Sequence, residues 1–160
     1  MHSLVVIIAK YVVVIPVIVW LAVLARLPRQ DRLRFIIFTA VSAVLTMTFV
    51  KIGTALHQDP RPFVRDHVHP YFLSSMDNGF PSDHTAFSSL IAFVVLRYSR
   101  WVGIALLLVA ILIGTARVIS GVHHGQDIVG GLLLAALAVV VSWSGERMVI
   151  ARLHRTARDK

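Results

Sequence analysis

Five long apolar runs divide this 160-residue chain, and they restrict the folds open to it more than any other feature. They cover Leu4–Ala25, Phe35–Leu56, about His84 to Tyr98, Val102–Ile119 and Ile128–Trp143. A helix that crosses a bilayer needs roughly 20 apolar residues, because the hydrocarbon layer is about 30 Å thick. The third and fifth runs reach that length only if their polar ends lie among the headgroups. Inside hydrocarbon, backbone N–H and C=O groups must be paired within the protein, which makes runs of this length helices. The expected fold is all-α: a polytopic membrane helix bundle with about five transmembrane helices, forming one membrane-embedded domain over residues 1–160. No repeat or low-complexity tract divides it, and a hydrophobic share of 57% exceeds what a soluble domain needs.

The formal charge of +8 would suggest nucleic acid as a partner of a soluble protein, but the cations do not form one patch. Eleven of the sixteen Lys and Arg lie in "RLPRQDRLR" between the first two runs, in "RYSR" between the third and fourth, and in the tail after the fifth. The positive-inside rule assigns these connectors to the cytoplasm. With five spans the amino terminus is then outside and the carboxyl terminus inside, and the loop from His57 to Pro81 shares the outer face with the turn "SGVHHGQD". The absence of cysteine excludes disulfides and thiol catalysis. The first run lacks a basic start and is too long for a signal h-region, so no cleavable signal peptide is expected.

Four of the five remaining cations, Lys51, Arg61, Arg65 and Arg117, fall at or near the outer face, against the charge bias. Arginine and lysine at a low-dielectric boundary are costly unless they meet anions, and phosphate accepts forked guanidinium hydrogen bonds. Pro81 and Ser82 open an apolar run whose first N–H groups lack internal partners, which is an anion site in its own right. His123 and Asp127 are four residues apart, a spacing that puts both on one helix face, where the carboxylate can hold one ring nitrogen and leave the other free to attack. His84 can then supply a proton. Together these groups describe a phosphatase site that needs no metal and no cofactor.

The same residues resemble the type 2 phosphatidic acid phosphatase superfamily, whose motifs are K-x6-R-P, P-S-G-H and S-R-x5-H-x3-D. Arg61 and Pro62 match the end of the first, Pro81, Ser82 and His84 the second, and Arg117, His123 and Asp127 the third. The resemblance implies His123 as nucleophile through a phosphohistidine, Asp127 as its orienting partner and His84 as the acid for the leaving oxygen. It implies Lys51, Arg61, Ser82 and Arg117 as phosphate-binding residues, with Asp83, at the motif's glycine position, beside them. "PSDH" with "PRPF" is similar to the bacterial undecaprenyl-diphosphate phosphatases of that superfamily. This implies a lipid diphosphate substrate, lipid-carrier recycling for cell-wall synthesis, and a bacterial cytoplasmic membrane with the site facing outward. Phosphatidate, phosphatidylglycerol phosphate and other prenyl diphosphates remain open as substrates, and oligomeric state is unreadable.

Ala116 stands where the third motif has serine, and Lys51 precedes Arg61 by nine intervening residues instead of six. A lost serine hydrogen bond would weaken phosphate binding by about 0.5 to 1.5 kcal/mol. His57, Asp59, His67 and His69 have irregular spacing for zinc and read as a solvated loop. His124 reads as a surface residue. Lys10 reads as a snorkelling lysine, or as one that reaches the phosphate site. Two other classes stay open: a vanadate-dependent haloperoxidase, which five spans oppose, and a membrane scaffold or transporter subunit, which would not need paired histidines.

Topology is directly measurable, because a chain without cysteine gives a clean background. Ser75→Cys is expected to react with an impermeant thiol reagent from outside, and Gln30→Cys only after the membrane is opened. The reverse pattern would put the site in the cytoplasm.

Overall fold

The first apolar run does not form one helix. In the computed structural model, which describes residues 2–158, it splits into α1 (His2–Tyr11) and α2 (Val14–Arg26), bent by 45°. The cause is Pro16: it has no N–H to give, and its ring excludes the carbonyl of the residue four before it, Val12, from a helical position. That carbonyl instead accepts a tighter bond from Ile15 N at 2.9 Å. There follow α3 (Arg29–Leu56), a single turn α4 (Pro62–Arg65), α5 (Asp83–Leu96), α6 (Arg100–Ile119) and α7 (Gly125–Arg158). Among the described residues the only β pairing is a lone bridge between Pro60 and Asn78.

The fold is all-α as expected, a helical membrane bundle in which three to four elements qualify as spans by length and composition. α3, α6 and α7 up to Leu153 are long and apolar enough to cross a membrane, and the bent α1–α2 pair makes a fourth where it is taken as one broken span. The third run is α5, with only 14 residues, or about 21 Å of helix. Most of its surface is covered by other helices. Thr85, Ala86, Ser88 to Ala92, Val94 and Val95 are all buried, the pattern of a helix enclosed by others. α2, α3, α6 and α7 pack around it, and Phe35, Leu90, Ile91, Val94, Leu106 and Ala135 form the centre of the core. The fifth run is longer than expected, the amino-terminal half of a 34-residue helix.

The two ends of the bundle are chemically distinct. At one end Glu146 of α7 receives Arg34 of α3 at 2.7 Å and pairs with Arg97 at the end of α5, whose guanidinium lies 4.4 Å from the Phe38 ring centre. Trp20 binds α2 to α3 through Thr39 at 3.1 Å and stacks on Phe35. At the other end, α5 and α7 approach almost backbone to backbone. A methyl on Gly131 would lie 2.8 Å from the Ser82 carbonyl and 3.0 Å from the Ala86 nitrogen, so only glycine permits this distance. On neighbouring Gly130 the space is filled by the Phe80 ring, 2.3 Å from where a methyl would stand.

Gly131→Ala is expected to force α5 from α7 and to destabilise the protein by about 1–3 kcal/mol, the usual cost of overpacking. Thermal unfolding in detergent measures it. Gly145→Ala, where an added methyl meets nothing within 4 Å, is expected to hold or raise the midpoint.

Candidate active site

The turn between α6 and α7 carries the third motif, and its shape comes from Gly121. This residue takes φ +70°, a region that costs other residues energy, and it ends α6. Gly121 N bonds Val118 O at 2.9 Å and Val122 N bonds Arg117 O at 3.2 Å, the paired bonds of a Schellman motif. The chain reverses, and the next two residues, Val122 and His123, are delivered into the protein interior.

α7 then starts with a cap from its own third residue. Asp127 Oδ2 accepts the backbone N–H of His124 at 2.8 Å, the reach-back half of a capping box, and the carboxylate sits where the helix dipole favours negative charge. The same oxygen lies 3.1 Å from His123 Nδ1. The predicted contact is therefore present, but not through two residues on one helix face. His123 lies in the turn before α7, and the capping geometry brings it to Asp127. Asp127 is fully buried, and its other oxygen has no partner among the described residues.

Arg61 is fixed on the loop side. Pro62 opens α4, where a missing N–H costs nothing, and Arg61 caps it. Its Nη1 donates to Val122 O at 3.0 Å and lies 3.3 Å from His123 Nε2, the ring nitrogen not held by Asp127. Nε and Nη2 both donate to Asp77 Oδ1, at 3.0 and 2.8 Å. Asn78 anchors this loop: its amide accepts from Asp59 N and Phe80 N and donates to Thr54 O and His57 O. The Phe80–Pro81 peptide that follows is cis.

A cavity of about 810 Å³ opens beside these groups. Lys51, Arg61, Asp83, His84, Arg117 and His123 supply its polar lining, so six of the eight expected site residues share one cavity. Asp127 stands behind His123. Ser82 does not line the cavity: it is fully buried, its hydroxyl accepts from Thr85 at 3.2 Å, and its backbone N–H donates to Asp127 O at 3.0 Å. Arg117 is buried and donates to Ala9 O at 3.1 Å, which attaches α1 to α6. Lys51 is exposed, and Thr54, where the motif's spacing would put the lysine, faces the same cavity and donates to Phe80 O at 3.1 Å. Lys10 is not in the cavity wall; its ammonium lies 5.1 Å from the Phe72 ring centre. Away from the polar end the walls are apolar, with Ala43, Met47 and Val50 of α3 facing Ala86, Phe87 and Leu90 of α5.

The sequence reading missed a second layer of charge. His124 is not a free surface residue. Its Nδ1 lies 2.7 Å from Asp59 Oδ2, and its Nε2 is 3.0 Å from both Asp66 Oδ2 and Arg65 Nη2. Arg65 closes the ring by donating to Asp59 Oδ1 at 2.9 Å. Asp59 is buried. Burial works against its ionisation, but the hydrogen bonds it accepts, His124's among them, prevail and hold its carboxyl below the usual range. No signal of spacing joins Asp59 to His124; only the fold does. Asp59, His124 and Asp127 are also the one group among the described residues with donor atoms close enough for a metal, within 4.8 Å of one another. Arg65, His123 and the His124 N–H already occupy most of those atoms. Of the loop residues weighed for zinc, only Asp59 belongs to it.

Residues 32–150 match the PAP2 superfamily. The chain is 31% identical over 115 residues to a Bacillus licheniformis protein named bacitracin transport permease protein BcrC, covering 71% of this chain and 57% of that one. It is 28% identical over 137 residues to undecaprenyl-diphosphatase BcrC of Bacillus subtilis (strain 168), covering 86% and 70%. To YbjG of Escherichia coli (strain K12) it is 34% identical over 151 residues, covering 89% and 74%. The crystal structure of a transmembrane PAP2 type phosphatidylglycerolphosphate phosphatase from Bacillus subtilis superposes with a TM-score of 0.62 at 19% identity, covering 92% of this chain and 77% of that one.

Burial pushes His123 below its ordinary value of 6.5, and the nearby Arg117 and Arg61 add to the shift while the Asp127 bond opposes it. A histidine that attacks phosphorus must be neutral, so in that role a lowered value would keep His123 active further into acid. The acid limb of kcat/KM is expected below pH 6.5, with Asp127→Asn moving it lower still while reducing turnover. A limb above 6.5 in a pH–rate profile would contradict this.

Proposed function

This chain belongs to the PAP2 superfamily, and on that premise we propose that it hydrolyses a membrane lipid diphosphate, undecaprenyl diphosphate, to the monophosphate. The observation that carries the reading is the two-part cavity. Its cationic end holds the histidines, and its apolar end, lined by α3 and α5, suits the hydrocarbon part of a lipid substrate. The relatives named undecaprenyl-diphosphatase support the same substrate.

The chemistry assigns each side chain one task. His123 donates Nδ1–H to Asp127, which leaves the Nε2 lone pair facing Arg61 and the cavity. Nε2 attacks the terminal phosphorus, the bond from phosphorus to the bridging oxygen breaks, and His84 protonates that oxygen as the lipid monophosphate leaves. Water then attacks the phosphohistidine, His84 takes its proton, and orthophosphate departs. Arg61, Arg117 and Lys51 stabilise the charge that spreads over the phosphoryl oxygens in the transition state. The three cations do the work a metal would otherwise do, so the reaction needs no divalent ion or cofactor. The enzyme acts at the outer face of the bacterial cytoplasmic membrane, with its carboxyl terminus in the cytoplasm.

A second reading, hydrolysis of phosphatidylglycerol phosphate, has the solved structural neighbour in its favour. Released phosphate across a panel of undecaprenyl diphosphate, phosphatidylglycerol phosphate and phosphatidate separates the two. Labelled substrate is expected to trap an acid-labile, alkali-stable phosphoenzyme on the wild type and none on His123→Ala, with turnover reduced at least a thousandfold, about 4 kcal/mol. EDTA is expected to leave activity intact. Loss restored by one metal would shift the chemistry to Asp59, His124 and Asp127, and substrate binding without turnover would favour a transport subunit.

A further inference from the structure

Every N–H of Arg61 is engaged in this structure. Nη1 serves Val122 O and His123 Nε2, and the outer edge, Nε with Nη2, grips Asp77 Oδ1, with Ser75 Oγ at 3.4 Å from Nη2. That outer edge is the fork a phosphate would take. Asp77 and Ser75 line the same cavity as His84, Arg117 and His123. An acidic side chain thus sits on the arginine that the phosphatase reading needs for its substrate.

The two partners differ in how easily they can separate. The Arg61 side chain is 9% exposed and Asp77 is 64% exposed. A buried guanidinium without an anion is costly, whereas a carboxylate already facing water gives up little on returning to it. The backbone after Asp77 is firmly held: Asn78 makes four side-chain hydrogen bonds, and Gly79 N donates to Asp59 O at 2.8 Å. Release therefore needs only a rotation of the Asp77 side chain. Ser75 Oγ donates to the same Asp77 oxygen at 2.7 Å. It and Arg61 hold the carboxyl below its usual range, so the group is an anion at neutral pH.

We infer that Asp77 is an internal anion that occupies the phosphate edge of Arg61 in the ligand-free protein, and that the terminal phosphate of the substrate displaces it. No covalent bond changes: one carboxylate leaves the guanidinium and one phosphate takes its place. Two consequences follow. The apparent affinity for phosphate is lowered by the fraction of molecules in which Asp77 is seated. After turnover the carboxylate competes with orthophosphate for Arg61 and helps to expel the product. The inference rests on the phosphatase reading for its substrate, but its test does not need turnover.

Orthophosphate binding to the full-length protein in detergent, measured by calorimetry, supplies that test. Asp77→Asn and Asp77→Ala are expected to lower the Kd for orthophosphate about tenfold, the equivalent of one charge-assisted hydrogen bond no longer broken on binding. A fixed orienting role for Asp77 predicts the opposite sign. An unchanged or raised Kd in both variants, with melting temperatures equal to wild type, would overturn the inference. A measurement on the unaltered protein guards against misplacement of Arg61 in the variants. Coupling of Asp77 to glycine methyl ester by a water-soluble carbodiimide, read by peptide mass spectrometry, is expected to speed up several-fold when orthophosphate is added. Protection by orthophosphate would overturn it. A wild type that binds orthophosphate but turns over no lipid phosphate refutes the functional reading and leaves the displacement intact, and an active enzyme indifferent to Asp77 refutes the displacement alone.

Discussion

One carboxylate oxygen, Asp127 Oδ2, accepts both the backbone N–H that starts α7 and the ring nitrogen of His123. Fold and chemistry converge on that atom. The first bond sets where the longest helix begins, and hence where Gly131 meets the α5 backbone and where Glu146, some five turns on, meets Arg34 and Arg97. The second fixes the imidazole's rotation and its proton-bearing side. Because the carboxylate is fully buried, neither bond competes with water, and each is stronger for it. Asparagine at this position would keep an acceptor but lose the charge that suits a helix amino terminus.

The price of placing three cations at one end of an apolar bundle is met by neighbours that the chain itself provides. Arg61 has Asp77 and the Val122 carbonyl, Arg117 has the Ala9 carbonyl, and Lys51 is exposed. The bend at Pro16 has a role here. It separates α1 from α2, so that α1 packs on α6 and Arg117 meets Ala9 while α2 packs toward α5. The second layer of Asp59, His124, Arg65 and Asp66 joins the loop to the turn that carries His123.

Much of this was legible in the sequence, for identifiable reasons. Long apolar runs have one solution in hydrocarbon, so helix positions and the membrane class could be read, and the charged connectors separated the two ends. The residues of the three motifs were recognisable as types, and six of them do share a cavity. What failed depended on three-dimensional neighbours. Apolarity alone could not distinguish a helix facing lipid from one enclosed by other helices, so the burial of α5 was not readable. Pro16 was a readable signal for the bend and was passed over. The His123–Asp127 contact was right for a wrong reason, since the turn at Gly121 and not helical periodicity brings the two together. Ser82 faces inward toward Thr85, a contact that no motif contains. Asp77 and His124 belong to residue types that are usually solvated, and only the folded loop gives them partners.

Met47 and Phe87 belong to the wall of the cavity and at the same time to the outer surface, at 62% and 43% exposure. The slot between α3 and α5 is thus open sideways, toward lipid, along its apolar part. A substrate with a long hydrocarbon tail can enter without leaving the bilayer, by diffusion in two dimensions, and only its headgroup has to exchange water for arginine. The concentration such a site senses is a mole fraction of membrane lipid and not an amount per volume. Dilution of the same quantity of substrate into more bilayer would slow the enzyme even in an unchanged volume of solution.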